Sequence, residues 1–222
     1  MYMKEYYLNE KFFINSDYIY KKIYDQIYLV ENFITEEEQK TLLEFLHSIN
    51  ENKWQELYLN NLKDNALKKF GTDDIFLLEK ENKININMEW YDKSVSIGEK
   101  YSNMSNSFLN RIFTFFNEKD FNIKYFETVQ RHKPKDFMSK HVDSEHDSNL
   151  IFAGVLYIND DYFGGELYFE KFDITLKPKA RSLVLFSTGK DYIHEIKTVL
   201  DGPTRYAMPC FIWKNDSEIK VI

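Results

Sequence analysis

Residues 150–186 read LIFAGVLYINDDYFGGELYFEKFDITLKPKARSLVLF, and the fold class is decided there. The stretch breaks into short apolar runs, Leu150 to Ile158, Glu166 to Phe169, Ile174 to Leu176 and Ser182 to Phe186. Turn residues stand between them: Asn159-Asp160-Asp161, Gly164-Gly165 and Lys177-Pro178. Runs rich in β-branched and aromatic side chains, punctuated this often, are strands. Ile123 to Gln130 opens the pattern upstream. Ile193 to Ile196 and Arg205 to Trp213 continue it across Gly189 and Asp201-Gly202-Pro203. Many short strands at such spacing suggest a sandwich or jelly roll.

Outward from this stretch the punctuation thins. All four prolines and five of the seven glycines fall after residue 130, so the N-terminal half reads as helix-rich. Thr35-Glu36-Glu37-Glu38 opens the clearest helix, with Thr35 as cap, Glu38 at the capping-box position and an acidic first turn. Leu42, Leu43, Phe45, Leu46 and Ile49 recur at helical spacing along it. Ile27-Tyr28-Leu29-Val30 before it reads as a strand. A second helix is expected from about Met104 to Phe116, with Phe108, Ile112, Phe115 and Phe116 on one face. The polar segment from about 52 to 100 is expected to hold some helix and a long loop. The whole reads as a β-rich α+β protein, one domain over 1–222. N-terminal helical support (about 1–120) packs on a core at about 121–214.

Composition narrows the function. A hydrophobic fraction of 43% with 29% charged residues describes a folded globular chain, and 19 Phe with 16 Tyr favour a β-rich core. The net charge of −7 argues against a nucleic-acid backbone as partner and tolerates a neutral or basic peptide. The single cysteine, Cys210, excludes an internal disulfide and points to a reducing compartment. No signal-type apolar region or membrane-length run is visible, so a cytoplasmic location is expected.

The chemistry centres on His141-Val142-Asp143. Side chains at i and i+2 leave a strand on the same face, so both can grip one metal. His194, from a distant strand, would complete a face of two imidazoles and a carboxylate. That set leaves positions open for a co-substrate and dioxygen and suits ferrous iron. Arg205 then offers a fork for a carboxylate. Taken alone, an HxD is weak. Its weight comes from the ordered company of Tyr157-Ile158-Asn159, Gly164-Gly165-Glu166-Leu167, Lys177-Pro178 with Ser182 to Phe186, His194 and Arg205-Tyr206.

With that ordered set the chain resembles the prolyl 4-hydroxylase-like branch of the iron(II)- and 2-oxoglutarate-dependent dioxygenases. The likeness runs from about residue 27 to Trp213 and is densest from Val129. It implies a double-stranded β-helix (jelly roll) core, with His141, Asp143 and His194 as iron ligands. Arg205 would pair with the distal carboxylate of 2-oxoglutarate, and Tyr157 would hydrogen-bond the same group. It implies hydroxylation of an unactivated carbon, a prolyl or other amino-acid residue of a peptide or protein, with release of succinate and CO2. O2 is consumed, and ascorbate is a plausible reductant. Asp143 favours hydroxylation over halogenation, because a small residue there would leave room for halide.

Several positions depart from the family. His132 stands where a tyrosine is usual; it either donates to the co-substrate or peptide or serves only as a strand residue. Lys135 replaces the usual glycine after Pro134. The turn between His194 and Arg205 is enlarged, and Pro209 implies a bulge or an edge. Arg205, Ala207, Pro209, Phe211 and Trp213 share a face, with small Ala207 leaving room beside the arginine. Glu145 and His146 read as loop residues and His47 as structural. Nucleic-acid dealkylation is disfavoured, since Phe211 stands where that branch carries a second arginine. The remaining alternatives are a non-catalytic metal-binding jelly-roll module and an oxygenase acting on a small molecule. Oligomeric state stays open.

Overall fold

The computed structural model describes residues 18–51, 54–59, 62–71, 107–108, 110–112, 115, 121–124, 128–145 and 149–214. Its strands are β1 (Ile19–Tyr24), β2 (Ile27–Glu31), β3 (Gln55–Leu59), β4 (Leu62–Gly71), β5 (Phe121–Lys124), β6 (Thr128–His132) and β7 (Met138–His141). They continue with β8 (Leu150–Tyr157), β9 (Leu167–Phe169), β10 (Ile174–Leu176), β11 (Leu183–Ser187), β12 (His194–Ile196) and β13 (Arg205–Lys214). One helix, α1 (Glu36–Ser48), follows β2. The major sheet runs β1-β2-β11-β8-β13-β6-β4-β3, with β5 also on β13; the minor sheet runs β10-β9-β12-β7. Every strand pairing is antiparallel.

The centre of the major sheet is buried on both faces, which explains its near-continuous apolar sequence. On β11, Leu183 and Leu185 join Leu42, Phe45, Phe108 and Ile112 in a core beneath the helical residues. Val184 and Phe186, on the opposite face, join Leu167, Phe169 and Ile196 of the minor sheet. On β8, Phe152 and Leu156 likewise face the first core, whereas Ala153 and Tyr157 face the second. This second, inter-sheet space is the inside of the jelly roll. Alternation on β8 and β11 therefore sorts side chains between structural support and the site.

The capping box of α1 forms as expected: Glu38 N donates to Thr35 Oγ1 at 3.1 Å and Thr35 N to Glu38 Oε2 at 2.8 Å. Arg111, among the described helical residues 107–108, 110–112 and 115, pairs with the same Glu38. Phe108, Ile112 and Phe115 are fully buried, as their spacing predicts. Phe116 lies outside the described residues.

Elsewhere the N-terminal half departs from a helix-rich reading. Where described, it contributes β1 and the β3–β4 hairpin, which extend the two ends of the major sheet. The hairpin falls in the segment read as helix and loop; all of 72–100 lies outside the described residues. Ile and Tyr give β1 (IYKKIY) a local β signal, whereas the Lys and Asn of β4 carry little, so pairing rather than local propensity makes the β3–β4 hairpin. The single run predicted from Ile123 to Gln130 is two strands, β5 and β6, both on β13. β6 covers β13 from Arg205 to Ala207 and β5 from Phe211 to Lys214. Pro209, which has no N–H to give, falls between them: a local edge inside a central strand.

Candidate active site

β7 and β12 pair so that His141 lies directly opposite His194, with ring centroids 4.3 Å apart. Asp143 faces both: its Oδ1 is 3.5 Å from His141 Nε2 and its Oδ2 is 3.7 Å from His194 Nε2. One ligand atom from each of the three lies within 4.8 Å of the others. The route to this convergence differs from the expected one. β7 ends at His141, and Asp143 opens a 3-10 turn over Asp143–Glu145, so strand alternation does not aim the carboxylate. Ser144 Oγ ties that turn to the carbonyl of Thr188 and holds Asp143 inward.

The backbone chooses the tautomers. His141 Nδ1 lies 2.8 Å from the Ser139 carbonyl and His194 Nδ1 lies 3.0 Å from the Tyr192 carbonyl. A carbonyl only accepts, so each Nδ1 carries the proton and each Nε2 lone pair turns toward Asp143. Such outer partners orient ligating imidazoles. Phe186 packs edge-on to His194 at 4.7 Å and Phe169 lies 5.8 Å from it. Burial pushes His194 down to about 4, keeping it neutral at neutral pH. Burial pushes the Asp143 carboxyl up, but the contact with His141 and the electrostatic influence of the His194 and His141 rings outweigh that and hold it below its ordinary value. Two neutral imidazoles and a carboxylate are a donor set for a borderline divalent cation such as iron(II).

Arg205 is fully buried, and among the described residues no carboxylate lies within ion-pair distance of it. Its Nη1 donates to His132 Nδ1 at 3.1 Å, across the β6–β13 pairing that sets the two residues opposite each other. Among the described residues, Nε and Nη2 of Arg205 have no partner. Neither do the hydroxyls of Tyr157 and Tyr162, nor Nε2 of His132, all buried. The guanidinium carbon lies 5.0 Å from the Tyr157 ring centroid and 5.9 Å from that of Tyr162. A buried cation with idle donors is costly unless an anion meets it. Burial raises the Tyr157 hydroxyl to about 12 against the lowering effect of Arg205, so it remains a donor. Burial, then the charge of Arg205, holds His132 well below its ordinary value, leaving it neutral. His132 is thus more than a strand residue: it orients the guanidinium.

The turn motifs explain how this socket is built. Asn159 clamps the start of β13: its Oδ1 accepts from Tyr206 N at 2.8 Å and its Nδ2 donates to the Thr204 carbonyl at 2.8 Å. Both neighbours of Arg205 are thereby fixed. Gly164 and Gly165 each have φ +66°, and a Cβ on Gly165 would lie 3.1 Å from Arg205 Cδ. The glycine pair lets the loop close over the arginine.

One pocket holds both ends of the site, lined among others by His141, Asp143, His194, Arg205, Gln130 and Phe211. Pro209 lines it too, whereas Ala207 on the same face does not. Gln130 and Tyr162 carry no motif signal. Tyr162 is an aromatic lodged in a polar turn, the only local hint of its burial. His47 packs on Tyr206 at 5.8 Å, a structural contact. Glu145 closes the 3-10 turn, and His146 lies outside the described residues.

Residues 128–213 match the model of the 2OG-Fe(II) oxygenase superfamily. This stretch is a 2OG-Fe(II) oxygenase domain. The chain is accordingly a 2-oxoglutarate-dependent dioxygenase, with the fold of the prolyl 4-hydroxylase-like branch. A viral collagen prolyl hydroxylase from Paramecium bursaria Chlorella virus-1, in its 2OG complex, is 16% identical with a TM-score of 0.51, over 86% of this chain and 98% of that one. A Trichoplax adhaerens prolyl hydroxylase, complexed with a hypoxia inducible factor peptide fragment, is 15% identical with a TM-score of 0.58, over 85% and 84%. A Pseudomonas putida prolyl-4-hydroxylase is 16% identical with a TM-score of 0.55, over 86% and 94%. No curated protein matches the sequence. Among the described residues no helix is long and apolar enough to cross a membrane.

Proposed function

We propose that this dioxygenase hydroxylates a prolyl residue of a peptide or protein, with His141, Asp143 and His194 holding iron(II) and Arg205 and Tyr157 holding the distal carboxylate of 2-oxoglutarate. The observation that carries the co-substrate assignment is the fully buried Arg205, without a carboxylate partner, in the same pocket as the His-Asp-His face. A metal-storage module has no use for a buried, unpaired cation there. When bound, iron(II) would activate dioxygen, the oxidant, with 2-oxoglutarate and the substrate C–H each giving two electrons: one oxygen atom goes to the substrate carbon and one to succinate as CO2 leaves.

The chain's own residues do the rest. The Ser139 and Tyr192 carbonyls hold the imidazoles as neutral Nε2 ligands. His132 and Asn159 aim Arg205. Met138, Val155, Leu167, Ile196 and Phe211 give the pocket a largely apolar lining that sheds water and, apart from Asp143 and Arg205, offers no charge partner among the described residues. That lining suits a prolyl ring better than a lysyl or aspartyl side chain. The prolyl hydroxylases of similar fold are consistent with a peptide substrate. Ascorbate as reductant and a cytoplasmic setting belong to the same proposal, as does a single domain over 1–222.

Succinate release by iron-loaded protein given 2-oxoglutarate and oxygen, with and without proline-rich peptides, tests it. Peptide-stimulated turnover with an oxygen atom gained on proline is expected. Stimulation by a small molecule and by no peptide would overturn the peptide assignment, and absence of iron binding would overturn the ligand set.

A further inference from the structure

Tyr162 lies in the loop between β8 and β9, is 1% exposed, and its buried hydroxyl has no hydrogen-bond partner among the described residues. Its backbone is pinned: Lys177 Nζ donates to the Tyr162 carbonyl at 2.6 Å and sits 4.9 Å from the ring centroid. Its ring is pinned as well. A Cβ built on Gly165 would lie 3.1 Å from Arg205 Cδ and 3.2 Å from Tyr162 Cε2, so this bare backbone is a common wall for both side chains. Tyr157, from the end of β8, closes on the guanidinium from the same strand that feeds the loop. Two phenols therefore bracket one buried guanidinium, each with an idle O–H.

We propose that Tyr162 is a second phenol donor to the distal carboxylate of the bound co-substrate, beside Tyr157 and Arg205. The inference rests on the co-substrate assignment made above. A carboxylate has about four lone-pair directions. The idle Nε and Nη2 of Arg205 form a fork for two of them. The two idle hydroxyls supply the remaining donors, and one N–H of Nη1 is already taken by His132. Burial raises the Tyr162 hydroxyl above its ordinary value, despite the nearby arginine, so it stays protonated and able to donate. Both added donors are neutral. The socket thus carries one positive charge and matches one carboxylate.

The test is Tyr162→Phe, which keeps the ring and removes the hydroxyl. Affinities for 2-oxoglutarate and for 2-oxobutyrate, which has the same keto-acid head and no distal carboxylate, are measured anaerobically on iron(II)-loaded full-length protein. Loss of one hydrogen bond to a charged group is expected to weaken 2-oxoglutarate binding about tenfold. 2-Oxobutyrate binding should stay within twofold. The melting temperature of the variant without co-substrate should match or exceed wild type, because an unsatisfied polar atom has been removed. An unchanged affinity for 2-oxoglutarate would overturn the proposal, and so would equal weakening of both acids with a lowered melting temperature. Arg205→Met, measured alongside, separates the two levels. If it leaves 2-oxoglutarate binding intact, the co-substrate assignment itself fails; if it abolishes binding while Tyr162→Phe is silent, only the role of Tyr162 fails.

Discussion

At Arg205 the balance between burial and charge is set to be completed by a ligand. The side chain is fully buried and, among the described residues, its only hydrogen-bond partner is the neutral His132. Truncating one member of a buried charge pair costs about 2–5 kcal/mol, so Arg205→Met should weaken 2-oxoglutarate binding at least about thirtyfold while iron binding persists. Calorimetry on the iron(II) protein checks both halves. His132→Ala should weaken the same binding less, because it loosens the guanidinium without removing it. The histidines also make a pH prediction for the metal-free protein. His194 falls from 6.5 unfolded to about 4 folded, so the unfolded chain binds more protons between those values. Stability is therefore full above pH 6.5 and is lost as pH falls toward 4, about 2 kcal/mol of it between pH 7 and pH 5. His132 shifts in the same direction. Urea unfolding midpoints at the two pH values measure the loss; equal midpoints would contradict buried neutral imidazoles.

Among the elements, β8, β13 and the loop following β8 do most of the positioning, and their roles were unequally legible. The runs read at Leu150 to Ile158, Ile174 to Leu176 and Arg205 to Trp213 became β8, β10 and β13 with little change of bounds. Apolar content, β-branching and flanking turns all agreed there. β7 left no such trace: Met138-Ser139-Lys140-His141 is short and mostly polar, and it is a strand because β12 pairs with it. For the same reason the i, i+2 explanation of His141 and Asp143 did not survive, although the residues did meet. Asn159 shows what one side chain contributes to an element. Asn159→Ala should free the start of β13 and raise the KM for 2-oxoglutarate several-fold, with kcat changed less, and steady-state kinetics would show the split. Thr35→Ala removes the cap of α1, no residue of which lines the pocket. It should cost about 1 kcal/mol of stability and leave co-substrate affinity unaltered, a contrast that denaturation and binding together would register.

At the scale of the molecule, the jelly roll places a charged, partly unsatisfied site between two well-packed layers. Anything that binds the folded state alone stabilises it, so iron(II) with 2-oxoglutarate should raise the melting temperature, and Arg205→Met should lose the 2-oxoglutarate increment only. The packing beneath the site has no slack. A Cβ on Gly154 would lie 2.5 Å from Cys210 Sγ and 2.8 Å from Leu185 Cδ2, both buried. Gly154→Ala should destabilise by about 1–3 kcal/mol through overpacking, measured as a lower unfolding midpoint. The sequence by itself determined the strand-rich class, the capped helix and the order of the His, Asp, His and Arg residues. Each of those is written in local spacing, turn chemistry or the identity of single side chains. Only the tertiary structure decided that β3 and β4 are strands, that Asp143 is aimed by a 3-10 turn, that His132 holds Arg205, and that Tyr162 turns inward beside it. Those outcomes depend on contacts between residues far apart in the chain, and local periodicity carries no record of which distant surface a side chain will meet.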